Sequence, residues 1–575
     1  MAFQVSPGVN TSEVDLTTVV PAISSSTGAI AGVFQWGPVN EIRQISNELE
    51  LVSNYGRPDT NTATSFFTAA NFLAYSNDLR VCRAANTTSY NAFAPLASQD
   101  LFAGNTTQIK NEAAYETSTV YTSGVVNTMF AARYPGSMGN SLKVELFANS
   151  NTTLWNSWAY SSLFDNKPGT SHFVSVNFNA AANDELHLVV IDEDGKFTGS
   201  PGTVLEKFTG LSKATNAKDE TGQSIYYKNY ILRNSKYILW SGTPEDAAGA
   251  TTTWDVAANT THIFTQTAGN DTAFSFVGGT DQSVPDSALN TAYDLFSDVE
   301  NIDISLLLTA AHSAAVAGHA VDLVEGRRDC VVFVSPTLAN TTSATASTDI
   351  TNYRNVALNK SSSYAVMDSG WKYQYDKYND IYRWMPLNGD IAGLCARTDN
   401  DRDPWFSPAG LTRGQIKNVI KLSYNPNKSN RDTLYKAGVN PVVSSPGEGT
   451  YLFGDKTLLG RPSAFDRINV RRLFIVLEKS ISKAAKSSLF EFNDEFTRAQ
   501  FVNLVEPFLR TVQGRRGIYD YRVVCDSTNN TAEVIDRNEF VGDIYIKPAK
   551  SINFIQLNFV AVRTGVAFEE IVGKF

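Results

Sequence analysis

The chain has 575 residues, 42% of them hydrophobic, and a formal net charge of −10. That length holds roughly three or four domains with sizeable cores. The acidic balance argues against direct nucleic-acid binding, which needs a basic surface to follow a phosphate backbone. Four cysteines, Cys82, Cys330, Cys395 and Cys525, lie far apart in mostly apolar, strand-like settings. They read as buried free thiols of a reducing cytosol, with no disulfide framework or zinc knuckle. Met1–Val5 has neither the basic start nor the apolar run of a signal peptide. Ile304–Val321 is apolar but broken by His312, Ser313 and His319, so a strand running into a helix is expected there and no membrane span.

In chain order, Val14, Leu16, Thr18 and Val20 alternate with Asp15 and Thr17 after the turn Ser6-Pro7-Gly8, which predicts an extended arm. Gly28–Phe34 reads as a buried strand ended by Trp36-Gly37-Pro38. Helices near Asn47–Tyr55 and Thr64–Tyr75, then a strand over Asp78–Ala84, open an α/β unit. From Asn86 to about Val277 the texture changes to Asn, Thr, Ser, Gly and aromatics, predicting a β-rich insertion. Asp192-Glu193-Asp194-Gly195 is its expected hairpin turn, between Leu186–Ile191 and Phe197. After Gly278-Gly279, a helix at Asp286–Val299, a strand at Ile304–Leu308, a helix near Ala314–Glu325 and a strand at Cys330–Val334 alternate as βαβ sections do. Ser361–Arg413 adds shorter elements rich in Tyr and Trp. Thr412–Leu422 begins the passage to a C-terminal domain, and Asn440–Tyr451 reads as a surface excursion.

In that C-terminal domain Val470, Leu473, Phe474, Leu477 and Ile481 form one apolar helical stripe. Arg467, Arg471, Lys479, Lys483 and Lys486 fall largely on the other side, as a basic solvent face. Phe501, Leu504, Val505, Phe508 and Val512 predict a second helix, kinked or restarted at Pro507. The period then changes to two. Tyr519, Tyr521, Val523 and Cys525 predict one strand, Ile544 and Ile546 a second, and Ile555, Leu557, Phe559 and Ala561 a third. Two helices on a three-stranded sheet leave its edges exposed. Beyond Arg563, Val566, Phe568 and Ile571 are still strand-like, with no partner left in the chain. Together with Val14, Leu16 and Val20 they suggest arms that donate strands between copies; frayed termini are the alternative.

Chemistry finds little support. Gly449–Thr457 misses the phosphate-loop pattern by one inserted residue, Asp455, whose carboxylate would repel a phosphate. Asp399, Asp401 and Asp403 lack the glycine and closing glutamate of a calcium loop and read as a solvated turn. The five histidines are scattered; His312 and His319 can share a helix face, but no acidic or cysteine partner is spaced for a metal. There is no nucleophile elbow and no local Cys/His signature. The sequence assigns no catalytic residue, no cofactor and no metal site.

Three long runs carry a resemblance: Gly517–Asp526, Val534–Phe540 and Phe465–Phe474. Lys372–Asp380 and Asp390–Asp399 extend it upstream. They resemble the contractile tail sheath protein of T-even-like bacteriophages, and Tyr134-Pro135-Gly136-Ser137-Met138-Gly139-Asn140 resembles a short motif of the same family. The resemblance implies an α+β multidomain fold with a discontinuous α/β core domain (23–85 plus 278–412) and a β-rich, outward-facing insertion (86–277). A C-terminal α+β domain (413–563) would line the tail tube, between extended arms at 1–22 and 564–575. Asn86 to about Ala131 is short beside the outer protruding domain of T-even sheaths.

The implied function is structural and not enzymatic: hexameric rings stacked helically around a tail tube, contracting to drive it through the host envelope during genome delivery. Implied partners are other copies, the tail tube protein, the baseplate and the tail terminator or neck proteins. Neither a membrane nor nucleic acid is a direct partner. The subunit would be assembled in the host cytoplasm and end in the virion. The basic stripe of Arg467, Arg471, Lys479 and Lys483 is expected to face an acidic tube surface, with a solvated helix face or salt bridges between sheath subunits as the alternative. A bacterial contractile injection system sheath is the alternative owner of this architecture, and a tail-associated glycan hydrolase the alternative from another class.

Overall fold

A seven-stranded sheet holds the centre of the molecule, in the order Val439–Asn440, Ala365–Asp368, Val331–Val334, Leu306–Leu308, Gly28–Val33, Leu79–Ala84, Ile42–Ile45. Its strands pair in parallel, except that Ile42–Ile45 runs antiparallel to Leu79–Ala84 at one edge. The computed structural model describes residues 24–95, 106–123, 125, 128–242, 253–266, 273–553 and 556. The expected arm residues Val14, Leu16, Val20, Val566, Phe568 and Ile571, and the third C-terminal strand expected through Ile555, Leu557, Phe559 and Ala561, lie outside the described residues.

A parallel sheet is covered on both faces, so its strands are apolar at nearly every position. Ile30, Val81, Leu308 and Phe333 face a core shared with the helices Glu48–Tyr55, Ala63–Leu73 and Asn388–Asp401. Ala29, Ala31, Leu307 and Val332 face the opposite core, under Asp286–Asp294 and Ala314–Arg327. Asn47 and Ser313 start two of these helices by accepting from the backbone N–H of Glu50 and Val316, the usual satisfaction of orphan donors at a helix start. Gly28 pairs with Leu306 on one side and Leu79 on the other. The stretches before and after the insertion therefore share one sheet.

The expected boundary after residue 412 is corrected. Val439–Asn440 joins the central sheet, and Lys421–Leu422 pairs with Trp371–Asp376. Asn440–Tyr451, expected as a surface excursion, contains the hairpin Val442–Ser445 with Gly449–Leu452, and Val442 and Leu452 are buried in the first core. The turn formers at the tip hid the short strands that flank it. Chain up to Leu458, itself buried in the second core, belongs with the α/β domain.

The insertion carries two antiparallel sheets. One runs Ala273–Ser275, Leu142–Phe147, Glu185–Asp192, Thr203–Ser212; the other Phe93–Pro95, Thr128–Ala132, Ile238–Trp240. The expected tight turn after Ile191 is a longer loop, because Asp192 pairs with Thr203. The buried Asp192 carboxylate holds that loop, accepting from Ser141 Oγ at 2.7 Å and from the backbone N–H groups of Phe197 and Thr198 at 3.0 and 2.8 Å.

The neck between insertion and α/β domain is densely bonded. The buried Arg83 guanidinium donates to the carbonyls of Phe34, Gly37 and Gln35, and to Pro135 of the Tyr134–Asn140 motif at 2.8 Å. Asn140 and Gly279 exchange two bonds of 2.9 and 2.8 Å. Phe93 and Val277 exchange backbone bonds of 2.9 Å.

The C-terminal unit pairs the helices Ile468–Ala485 and Glu495–Gly514 with the antiparallel hairpin Ile518–Val524 and Asp543–Pro548. The second helix runs on through Pro507 without the restart that proline predicts. A register shift between Ile518 and Asp520 lets Ile518 enter the core while Tyr519 stands 67% exposed. Such a bulge re-aims side chains along a strand.

Candidate assembly surfaces

The Ile468–Ala485 helix sits between two cores. Ile468 and Ile475 belong to the α/β core, whereas Leu473 and Leu477 pack with Phe501, Val505 and Leu509 of the following helix. With two sides buried, the helix has no broad solvent face near its start. This corrects the expected basic solvent face. Arg471 is buried, with its guanidinium 4.0 Å from the Phe465 ring centre and 4.2 Å from that of Tyr364. Burial pushes its pKa down.

Arg467 pairs with Asp455 at 3.1 Å, and Lys479 with Asp303 at 2.6 Å. Lys483 and Lys486, at the far end, are exposed. Arg472, which the sequence reading left unassigned, is buried in a two-pronged ion pair with Asp399 and donates to Ser25 O at 3.2 Å.

The aspartate row is therefore not a solvated turn. Asp399 lies in the Asn388–Asp401 helix, paired with Arg472, and Asp403 meets Arg515 at 2.9 Å. The near-miss phosphate loop is structural as well. Buried Asp455 accepts from Ser551 Oγ at 2.7 Å and Ser407 Oγ at 3.1 Å in addition to Arg467, which ties the α/β domain to the C-terminal unit. All four cysteines are free and buried, and burial pushes the Cys82 and Cys395 thiols up to about 12.

His187 and His312 are lowered by burial and bond backbone oxygens of Asn166 and Ala31. His319 meets Asp294 at 2.7 Å. Among the described residues no cluster of His, Cys, Asp and Glu is arranged to hold a metal, and no helix is long and apolar enough to cross a membrane.

Buried charge also concentrates where the parallel strands end. Lys372 and Asp390, both fully buried, pair at 2.8 Å, and Tyr75 donates to the same carboxylate at 3.2 Å. Asp368, also buried, accepts from Ser335 Oγ at 2.6 Å and Gly370 N–H at 2.9 Å. Burial raises its pKa to about 7 against those bonds.

The surface offers different features. The Ile518–Val524 and Asp543–Pro548 hairpin carries no third strand among the described residues, leaving backbone groups available on its edges. The loop joining the two C-terminal helices exposes Leu489, Phe490 and Phe492 (84%), and Phe496 (76%) follows in the first turn of the second helix. Sequence reasoning missed this loop. Its signal was an apolar cluster, Leu489-Phe490-Glu491-Phe492, placed between two amphipathic helices instead of on one.

Internal charges that lock the units together, with apolar side chains and sheet edges left outside, define an assembly subunit. Comparison with known proteins agrees. The family model for the phage tail sheath protein central domain matches residues 291–458, that for the phage tail sheath C-terminal domain 461–561, and that for the tail sheath protein domain III N-terminal region 25–84. The tail sheath proteins of Vibrio phage KVP40 and Enterobacteria phage T4 are each 34% identical to this chain, over 99% of both sequences. That of Salmonella phage ViI is 31% identical over 99% of this chain and 98% of its own. Among solved structures, the sheath tail protein of Listeria innocua covers 92% of this chain and 93% of its own with a TM-score of 0.53 at 13% identity, which shows the shared fold. The chain belongs to the phage tail sheath protein family, and is a structural component of a contractile phage tail.

Proposed function

We propose that this chain polymerises as stacked hexameric rings around a tail tube, and that contraction of the stack drives the tube through the host envelope during genome delivery. The observation that carries the reading is full-length identity of 34% to two phage tail sheath proteins. The open hairpin edges supply the physical means. Terminal arms, with Val14, Leu16 and Val20 at one end and Val566, Phe568 and Ile571 at the other, add strands to neighbouring copies through backbone ladders. Domain surfaces supply the contacts that exchange between extended and contracted packings.

The subunit needs no catalysis, because the energy is held in the extended assembly. Its partners are other copies, the tail tube protein, the baseplate and the tail terminator or neck proteins, and assembly takes place in the host cytoplasm. Arg467, Arg471 and Lys479 are engaged inside the chain, so contact with an acidic tube falls to Lys483.

Negative-stain electron microscopy of the purified protein at rising concentration tests this reading, alone and then with tube and baseplate. Hollow striated tubes are expected. Protein that stays dispersed with all partners present overturns it.

A further inference from the structure

We propose that the Leu489–Asp494 loop of one copy seats in a groove on the α/β domain of a second copy; this rests on the sheath reading above. The groove lies between the Ala63–Leu73 helix, the Trp371–Asp376 strand with its turn, and the segment Asn418–Ile420. Its volume is about 360 Å³. Phe67, Ala70 and Val419 give it apolar walls.

Two polar side chains in the groove wall are unsatisfied. Asn71 and Gln374 are each 4% exposed, and neither Asn71 Nδ2 nor Gln374 Oε1 has a hydrogen-bond partner among the described residues. Buried polar groups ordinarily find partners.

The loop has the complementary features. Phe490 is fully exposed and Phe492 nearly so, and neither ring is covered among the described residues. Phe490 has φ 70°, a left-handed backbone that is a genuine outlier for a bulky side chain. Such conformations cluster at active sites, ligand clamps and switch regions. The loop is pinned at its far end, where Asp494 accepts from Thr497 N–H at 2.8 Å.

Charge agrees with the pairing. Glu491 on the loop and Glu495 just after it are exposed, while Lys377, Lys417 and Lys421 are exposed around the groove, where Lys377 meets Glu48, Lys417 donates to Ala74 O and Lys421 lies over the Tyr373 and Trp384 rings. Aromatic anchors entering a pocket, with opposite charges at the rim, are the usual anatomy of an interface centre. A knob and a socket at different places on one chain make a head-to-tail contact, which closes into rings or runs on as a helix.

Two single-cysteine variants test the contact, Phe490→Cys and Ile420→Cys, since the four native thiols are buried. Tubes assembled from their mixture and treated with a short bismaleimide are expected to give a crosslinked dimer. Tubes of either variant alone give none. Assembled tubes without that crosslink, or with Phe490→Cys crosslinked to the tube protein instead, overturn the proposal.

A second arm uses Phe490→Ser/Phe492→Ser to remove the knob and Ala74→Trp, at an exposed residue of the groove, to fill the socket. Each is expected to keep the native melting temperature and to stop assembly alone, while the mixture forms one-to-one dimers that do not grow. Normal tubes from either variant overturn the contact. Failure of the unaltered chain to form tubes even with tube and baseplate overturns the sheath reading itself.

Discussion

Arg472 and Asp399 meet in a buried two-pronged ion pair, at 2.7 and 2.5 Å, that joins the first C-terminal helix to the last long helix of the α/β domain. Removing one partner leaves the other charge buried and alone, which typically costs about 3–5 kcal/mol. Arg472→Ala is expected to destabilise the chain by that order, measured as a shift of the urea midpoint. An Arg472→Met/Asp399→Leu double variant recovers most of the loss.

Asp368 makes stability depend on pH. Its folded pKa, about 7, lies above the ordinary carboxyl value because burial favours the neutral form. Its contribution is therefore fully present below about pH 4. It is lost as pH rises to 7, by about 1.4 kcal/mol for each pH step in which the fold keeps a proton that the unfolded chain has released. Asp368→Asn stays neutral and keeps the carbonyl that accepts from Gly370. Denaturant midpoints should match the native chain at pH 4 and exceed it increasingly up to pH 7. A constant offset would point to a packing effect.

Gly393 sits where the Asn388–Asp401 helix crosses the end of the Ala63–Leu73 helix. A Cβ there would lie 2.4 Å from Cδ2 of Tyr75, a ring held by its hydroxyl between Asp390 and Lys417 N–H. Gly393→Ala is expected to cost about 1–3 kcal/mol through overpacking, with a lower melting temperature. Ala substitution at Gly326, which has open space around it, should not lower it.

Arg83→Lys keeps the charge but replaces a planar fork by one ammonium, which cannot reach all four carbonyls. Roughly 2 kcal/mol or more of stability should be lost through unsatisfied buried oxygens. Limited proteolysis should cut first at the neck, near Tyr134–Asn140. Cleavage at the same sites and rates as in the native chain would show that the neck does not depend on Arg83.

Deleting Val566–Phe575 should leave a folded monomer with an unchanged melting temperature that no longer forms tubes. Continued assembly would argue against donated strands.

The alternation of buried strands and capped helices around Gly28, Leu79, Leu306 and Val331 was legible in the sequence, because each strand is a short apolar run between turn signals. The stripe of Val470, Leu473 and Leu477 was equally plain. What the period does not reveal is a second buried side: Arg471 and Arg472 look like solvent residues until Tyr364 and Asp399 arrive from distant chain. Asp192 and Asp455 were misread for the same reason, since a buried carboxylate and a turn carboxylate look alike until its donors are known. The strands of the Val442 hairpin were hidden differently, being too short to show a period: Val442–Ser445 spans four residues.

The bonded neck has a mechanical consequence. The chain enters the insertion from the end of Leu79–Ala84, whose residues pair in register with Gly28–Val33 over their whole length. A pull on the insertion along that strand would load the shared backbone bonds together, in shear, instead of opening them one at a time. With Asn140 of the insertion clasped to Gly279 at its exit, the insertion is a handle through which force applied to it reaches the central sheet without first unzipping the joint.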